Sequence, residues 1–204
     1  GLEEDFDQET YSNKQLLQRY EAMRRPDASP DESLHTLLQA AIELVSQEAP
    51  KWEMVAGRIA TLIYQRRVDE FCAKYSLNTF YEKIHFLMEH DLYGSYILEN
   101  YTKEEIDELS KLIDPKRDQL LTYAGYDLLT QRYVIRTHDH EPVETVQEMF
   151  LGISLHLAML EPKDKRHAWV KRFYDVLSQL QVTMATPTLS NARKPYHQLS
   201  SCFI

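Results

Sequence analysis

The chain has 204 residues, of which 43% are hydrophobic and 27% charged, and its net charge is −9 at neutral pH. This length is sufficient for a hydrophobic core, and no apolar run approaches the length of a membrane span. The acidic balance argues against sequence-independent nucleic-acid binding, which needs a basic surface to displace counterions. A phosphorylated small molecule is not excluded, because backbone amides and hydroxyls bind one phosphate without net positive charge.

Only two cysteines occur, Cys72 and Cys202. This number excludes a disulfide framework and favours a reducing compartment, so we expect a cytoplasmic protein. Residues 1–11 are acidic and lack helical periodicity, and we interpret them as a flexible arm.

Residues 12–183 contain one amphipathic helical pattern after another. The run Ser29-Pro30-Asp31-Glu32 is a strong signal for the start of a helix, with Ser at the N-cap, Pro at N1 and Glu at N3. Further starts are predicted at Asn78 or Thr79, at Thr102 with Glu105, at Asp114-Pro115, and at Thr145 with Glu148. The short connections predict a mainly α, multi-helix domain rather than a sheet protein.

The one strand signal lies at residues 133–136 and is followed by a polar turn at 137–142, which predicts a small β-hairpin. The turn carries His138 and His140, the densest cluster of potential metal ligands. A metal site needs three or four ligands, so a solvated turn is the favoured interpretation. A metal-binding protein using these two histidines is the weakest alternative.

Two other reactive residues are predicted to be structural. Cys72 follows Phe71 in a helical context, where a buried free cysteine behaves as a small hydrophobe. His156 shares a helical side with Ile153 and Leu160, which favours a core or boundary histidine whose ring is hydrogen-bonded.

The helical pattern stops at residues 184–204, which we interpret as a Pro- and hydroxyl-rich, helix-free loop ending near Cys202. The hydroxyls of Thr186, Ser200 and Ser201 suit phosphate oxygens together with loop amides. The residues alone therefore indicate a redox or nucleophilic thiol beside a phosphate-binding loop, and a plain loop cysteine remains an equal alternative.

These residues carry a family resemblance. Ala185-Thr-Pro-Thr-Leu-Ser-Asn-Ala-Arg193 and Gln198-Leu-Ser-Ser-Cys202 resemble the segment that enters the active site of the class I ribonucleotide reductase large (alpha) subunit. The agreement extends upstream to residues 47–50, 56–59, 98–101, 123–124 and 171–174. The resemblance implies that residues 12–183 are the helical domain of that subunit. Residues 184–204 would then begin its ten-stranded α/β barrel.

The resemblance also implies residue roles. Cys202 would be the first cysteine of the redox pair that reduces ribonucleotides to deoxyribonucleotides for DNA synthesis, and Thr186 and Ser201 would hold the substrate diphosphate. The family uses a thiyl radical generated through a small (beta) subunit with a metal-radical cofactor. Thioredoxin or glutaredoxin re-reduces the enzyme, and ATP or dNTPs act as effectors. We expect no metal or other cofactor to be bound by this chain itself.

In that family the radical cysteine and the second redox cysteine lie downstream of the position of Ile204. We therefore expect an N-terminal part, either a fragment or a split half, that is inactive without the remainder of the alpha subunit. The alternative from another class is a non-catalytic helical interaction or regulatory module. No nucleic-acid or membrane partner is expected.

Overall fold

The computed structural model describes Asp7 and residues 10–202, and among these residues it contains helices but no β-strand. The prediction of a mainly helical protein is confirmed. The helices are α1 Asn13–Met23, α2 Pro30–Glu43, α3 Trp52–Tyr75, α4 Phe80–Glu89, α5 Tyr96–Asn100, α6 Lys103–Ser110, a 3₁₀ helix Pro115–Leu120, α7 Tyr123–Arg132, α8 Val146–Ala158, α9 Lys163–Ser178 and α10 Thr186–Asn191. None of the helices in the described ranges is long and apolar enough to cross a membrane.

The predicted capping boxes form. Ser29 and Glu32 at the start of α2 exchange hydrogen bonds, with the Ser29 amide 2.8 Å from the Glu32 carboxylate. The same reciprocal pairing is formed by Thr79 with Glu82, Thr102 with Glu105, and Thr145 with Glu148. Each capping box supplies hydrogen-bond partners for amides that have none inside the helix. Because both residues of a box lie within four positions of each other, the sequence alone predicts these helix starts.

The predicted start at Asp114-Pro115 opens a 3₁₀ helix that ends at Leu120 rather than a long α-helix. The chain restarts at α7, where the Thr122 hydroxyl accepts a hydrogen bond from the Gly125 amide at 3.1 Å. The start signal at Asp114-Pro115 therefore belongs to the 3₁₀ helix, and the helical pattern that follows it belongs to α7.

The chain divides into two compact units. The first contains the described residues up to Arg66 together with residues 119–128. Its core contains Leu16, Leu38, Ala40, Ala41, Trp52, Val55, Ala56 and Ile59. In this unit α3 passes so close to the chain at Leu121 that a Cβ on Gly57 would lie 2.7 Å from the Leu121 carbonyl oxygen. Only glycine allows this approach.

The second unit contains residues 67–118 and the described residues from 129 onward. Helix α8 is its centre: 11 of its 13 residues are buried, and it packs against α9. A helix buried on all sides must satisfy its polar residues internally. Accordingly Gln147 bonds both the Asp118 carboxylate and the Tyr174 hydroxyl, each at 2.7 Å.

The predicted β-hairpin is not formed as two strands. The described residues of this segment contain one antiparallel bridge, between Arg136 and Pro142, which closes a turn in which His140 adopts φ = 64°. Strand pairing fails because the amides that would form a ladder are used elsewhere. The Val134 amide donates to the Leu129 carbonyl at the end of α7, and the Ile135 amide donates to the Glu144 carboxylate at 2.8 Å.

The terminal segment also differs from the prediction of a helix-free loop. Residues 186–191 form the short helix α10, with Pro187 in its first turn, where a fixed φ and a missing amide are tolerated. No strand that would begin a barrel is formed among residues 184–202. The arm at residues 1–11 lies largely outside the described residues, as do Phe203 and Ile204. The proposed boundaries at 11 and 183 remain predictions.

Candidate functional site

The three predicted site residues lie on the terminal segment, residues 184–202, of the second unit. Cys202 is a free, exposed cysteine, and the neighbouring Ser201 hydroxyl lies 4.0 Å from its sulfur. The Ser200 hydroxyl donates to the Cys202 carbonyl at 2.8 Å. The thiol therefore sits in a tight serine-flanked turn, accessible to a reactant in solution.

Thr186 is exposed at the first position of α10. Its hydroxyl lies 3.2 Å from the hydroxyl of Tyr133. Within the described residues, no hydrogen bond joins Thr186 to Ser201 or Cys202. The structure thus brings Ser201 and Cys202 together and places Thr186 beside Tyr133, a residue that was not predicted to belong to the site.

A buried ion pair anchors the terminal segment. The Arg193 guanidinium donates to both carboxylate oxygens of Glu144, at 2.7 and 2.6 Å, and both side chains are at most 2% exposed. Arg193 also donates to the Leu189 carbonyl in α10 and to the Tyr133 carbonyl, each at 2.8 Å. The fork geometry of a guanidinium matches a carboxylate in this two-point manner.

In the Arg193–Glu144 pair, each buried charge is compensated by the opposite charge of its partner. Burial by itself would lower the pKa of Arg193, but the adjacent Glu144 carboxylate raises that pKa overall, so the guanidinium stays charged. The second Glu144 oxygen also accepts the Ile135 amide at 2.8 Å. The carboxylate that prevents the hairpin is therefore the same one that fixes the terminal segment.

A backbone hydrogen bond and one glycine support this arrangement. The Gly94 amide donates to the Arg193 carbonyl at 2.8 Å. A Cβ on Gly152, in the middle of α8, would lie 2.4 Å from the Tyr93 hydroxyl and 2.7 Å from the Arg193 Cδ. At the far end of α10, the Asn191 amide group donates to the Gln198 carbonyl at 2.9 Å and closes the turn before Ser200.

Sequence reasoning missed Arg193 and Glu144 as the anchor. Their only signal in the sequence is weak: Glu144 stands between the apolar residues Val143 and Val146, and Arg193 follows Ala192. Charged residues in apolar surroundings are rarely fully buried unless paired, but the sequence does not say with which partner.

The remaining candidates have structural roles. Cys72 is buried, and burial raises the pKa of its thiol despite the nearby ammonium of Lys83, which confirms its interpretation as a core residue. His156 is half-buried and bonded to the Tyr96 hydroxyl at 3.0 Å, which confirms the boundary interpretation. His138 and His140 are exposed, and the described residues contain no group of three or more potential metal ligands.

Comparison with known proteins supports the family resemblance. A family model described as ribonucleotide reductase, all-alpha domain, matches residues 119–197. The ribonucleoside-diphosphate reductase subunit alpha of Treponema pallidum is 49% identical over 203 residues, which is 100% of this chain and 24% of the relative.

More distant relatives agree. The subunit alpha of Synechocystis is 33% identical over 181 residues, covering 88% of this chain and 22% of the relative. The ribonucleoside-diphosphate reductase 1 subunit alpha of Escherichia coli is 29% identical over 189 residues, covering 92% of this chain and 24% of the relative. The chain thus spans about a quarter of the length of these curated relatives. On this similarity, the chain belongs to the ribonucleotide reductase large-subunit family.

Proposed function

We propose that this chain is the N-terminal part of a ribonucleoside-diphosphate reductase alpha subunit and contributes Cys202 as one of two redox cysteines. In this reaction two thiols become a disulfide, the substrate loses its 2′ hydroxyl as water, and a hydrogen replaces that hydroxyl. The observation that carries the proposal is the 49% identity to a named alpha subunit over the whole chain, including the terminal segment.

The contrast between the two cysteines supports Cys202 as the reactive one. Cys202 is exposed in a turn, whereas Cys72 is buried and the pKa of its thiol is raised. A thiol must reach its substrate and lose its proton to react, and a buried cysteine in apolar surroundings does neither readily. Of the two, Cys202 alone has the access that thiol exchange with a thioredoxin or glutaredoxin requires.

Thr186 and Ser201 are proposed to bind the diphosphate of the substrate. Both side chains are exposed hydroxyls, and a hydroxyl donates to a phosphate oxygen without adding charge to the site. The Arg193–Glu144 pair supports this role indirectly, because Arg193 ties α10, which begins at Thr186, to the Tyr133 carbonyl and to Glu144. The guanidinium itself is neutralised by Glu144 and is not offered as a phosphate ligand.

The other components follow from the family and are proposals for this chain. A radical-generating beta subunit would supply the radical, the remainder of the alpha subunit would supply the second redox cysteine, and ATP or dNTPs would act as effectors. Two unpaired cysteines fit a cytoplasmic location.

The test is substitution of each cysteine in the complete alpha subunit, assembled with its beta subunit. Cys202→Ser should abolish turnover of ribonucleoside diphosphate with thioredoxin as reductant, while Cys72→Ser, the matched control, should retain it. Circular dichroism would show that both variants fold. Turnover by Cys202→Ser at the wild-type rate would overturn the redox assignment and favour a non-catalytic helical module.

The phosphate assignment has a separate test. Thr186→Val removes one exposed hydroxyl and should raise KM for the diphosphate substrate, with roughly the effect of one lost hydrogen bond to a charged group, about 10-fold. Thr36→Val, which removes an exposed hydroxyl in the first unit that bonds the Glu32 carbonyl, is the control. An unchanged KM in Thr186→Val would remove that residue from the phosphate site.

A further inference from the structure

The hydroxyl of Tyr133 meets the hydroxyl of Thr186 at the start of α10. The two oxygens lie 3.2 Å apart, although the residues are separated by 53 positions in the chain. Within the part of the chain that the structure describes, the phenol is the one hydrogen-bond partner of the Thr186 hydroxyl. Thr186 is exposed, whereas Tyr133 is buried, with 8% of its surface exposed. The contact therefore joins a hydroxyl that a ligand can reach to a residue that is largely shielded from water.

The backbone of Tyr133 is held on both sides. Its amide donates to the Leu129 carbonyl at 3.0 Å, at the end of α7. Its carbonyl accepts a hydrogen bond from the Arg193 guanidinium at 2.8 Å. Because both backbone groups are engaged and the side chain is buried, the phenol occupies a fixed position beside α10.

Arg193 also holds the other partner of the contact. The same guanidinium donates to the Leu189 carbonyl in α10, the helix that begins at Thr186, at 2.8 Å. The contacts form a closed ring, which runs from Thr186 along α10 to Arg193 and returns through Tyr133. The spacing of the two hydroxyls is therefore set by a buried group. Two side chains without such support would have to be ordered at the cost of their rotamer freedom.

The number of protons decides how this pair can serve a phosphate. Each hydroxyl carries one proton, and each oxygen can also accept. If Thr186 donates to the phenol, it has no proton left for a ligand, and an ionised phosphate oxygen only accepts. If the phenol donates to Thr186 Oγ1 instead, the Thr186 proton is free for the ligand. A bound phosphate therefore selects the arrangement in which Tyr133 is the donor.

We propose that Tyr133 is a positioning residue for the diphosphate of the substrate: its phenol donates to Thr186 Oγ1 and leaves the Thr186 proton for a phosphate oxygen. This inference rests on the phosphate role proposed above for Thr186. Tyr133 acts through the Thr186 hydroxyl and does not touch the substrate. A hydroxyl that is oriented before the ligand arrives loses less freedom on binding. A hydroxyl that accepts one hydrogen bond is also a stronger donor in the next, because linked hydrogen bonds polarise one another.

Tyr133→Phe tests the proposal in the complete alpha subunit, assembled with its beta subunit. The substitution removes the hydroxyl and keeps the ring, so circular dichroism should show an unchanged fold. We expect KM for the ribonucleoside diphosphate to rise about 3-fold, because the Thr186 hydroxyl is still present but no longer oriented. The value of kcat should stay unchanged, since a contact that holds the substrate equally in its ground and transition states affects KM alone.

The decisive readout is how the effect depends on residue 186. Thr186→Ser retains a hydroxyl, and in that background Tyr133→Phe should again raise KM about 3-fold. Thr186→Val leaves no hydroxyl to orient, and in that background Tyr133→Phe should have no further effect. A phenol that only packs against α10, or that binds the substrate directly, would raise KM by the same factor in all three backgrounds.

Tyr101→Phe is the matched control. It removes a phenol of the same unit that donates to the Leu155 carbonyl at 2.7 Å, and it should leave KM unchanged. If Thr186→Val raises KM, three results would each overturn the proposal: an unchanged KM in Tyr133→Phe, an undiminished effect of Tyr133→Phe in the Thr186→Val background, or an equal rise in Tyr101→Phe. An unchanged KM in Thr186→Val would instead remove Thr186 from the phosphate site, and the proposal for Tyr133 with it.

Discussion

Arg193 and Glu144 form a two-point ion pair that water does not reach, and it joins residues 49 positions apart in the chain. Glu144 lies one residue before the N-cap of α8, and Arg193 lies just after α10. The pair therefore fixes the terminal segment to the central helix of its unit. Because Arg193 also bonds two backbone carbonyls, this guanidinium connects α10 and the end of α7 to one carboxylate.

We predict that Glu144→Gln destabilises the protein by about 3–5 kcal/mol, because it leaves a buried guanidinium without its counter-charge. Urea unfolding monitored by circular dichroism measures this change. The control is Glu141→Gln, which removes one partner of an exposed pair with Arg67 at 4.0 Å and should cost less than about 1 kcal/mol. Replacing both Arg193 and Glu144 by apolar residues of similar volume should cost less than Glu144→Gln alone. Equal effects of the two single substitutions would contradict the anchor.

Local signals in the sequence identified most of the helical architecture. The capping boxes were found because each depends on two residues three positions apart, whose hydrogen bonds close within one turn. The hairpin prediction failed for the opposite reason. Residues 133–136 have strand character, but the amide of Ile135 is taken by Glu144, and nothing in the local pattern reveals that competitor.

The same limit applies to the site. The composition of the terminal segment identified Thr186, Ser201 and Cys202 as candidates, but not the short helix that begins at Thr186. Arg193 is the last residue of the motif at residues 185–193 that carries the family resemblance, but no structural role was predicted for it. The contact of Tyr133 with Thr186 was not predicted either, since local patterns do not pair residues that lie 53 positions apart.

Asp118 should make stability depend on pH. Burial raises the pKa of its carboxyl from 3.8 to about 6, and the hydrogen bond from Gln147 opposes the rise only in part. A raised pKa means that the protonated carboxyl is favoured by folding. Its stabilising contribution is therefore complete below about pH 4 and is lost as the pH rises through about 6, by roughly 3 kcal/mol in total.

The corresponding variant is Asp118→Asn, which keeps an oxygen that accepts from Gln147 but cannot ionise. It should be more stable than the parent at pH 7.5 and nearly equal to it at pH 4, so that the difference between the two proteins follows the titration. Urea midpoints measured from pH 4 to pH 8 test this. A difference that is independent of pH would show that Asp118 does not titrate in this range.

The two cysteines should differ in alkylation. Cys202 is exposed, whereas Cys72 is buried and the pKa of its thiol is raised by burial. Iodoacetamide at pH 8 should label Cys202 rapidly in the native protein and label Cys72 only after denaturant is added, because the thiolate is the reacting species. Peptide mass spectrometry distinguishes the two sites. Equal native labelling rates would contradict the burial of Cys72.

Gly152 in α8 provides the most local test of the packing around the anchor. Replacing glycine by alanine inside a helix normally stabilises by about 0.5–1 kcal/mol, because alanine loses less backbone entropy. At Gly152 the added Cβ would lie 2.4 Å from the Tyr93 hydroxyl and 2.7 Å from the Arg193 Cδ, and both side chains are fully buried. We therefore expect Gly152→Ala to destabilise by about 1–3 kcal/mol, the usual cost of overpacking a core.

Gly125 in α7 is the matched control for this prediction, because a Cβ there would meet nothing closer than the Thr122 hydroxyl at 3.3 Å. Gly125→Ala should be close to neutral or stabilising in the same urea titration. Opposite signs for the two substitutions would locate the strain at the contact of α8 with Tyr93 and Arg193, since both replacements add one methyl group to a helix. A stabilising Gly152→Ala would mean that both Tyr93 and Arg193 have room to move, and the buried pair of Arg193 with Glu144 would then not be rigid enough to position the terminal segment.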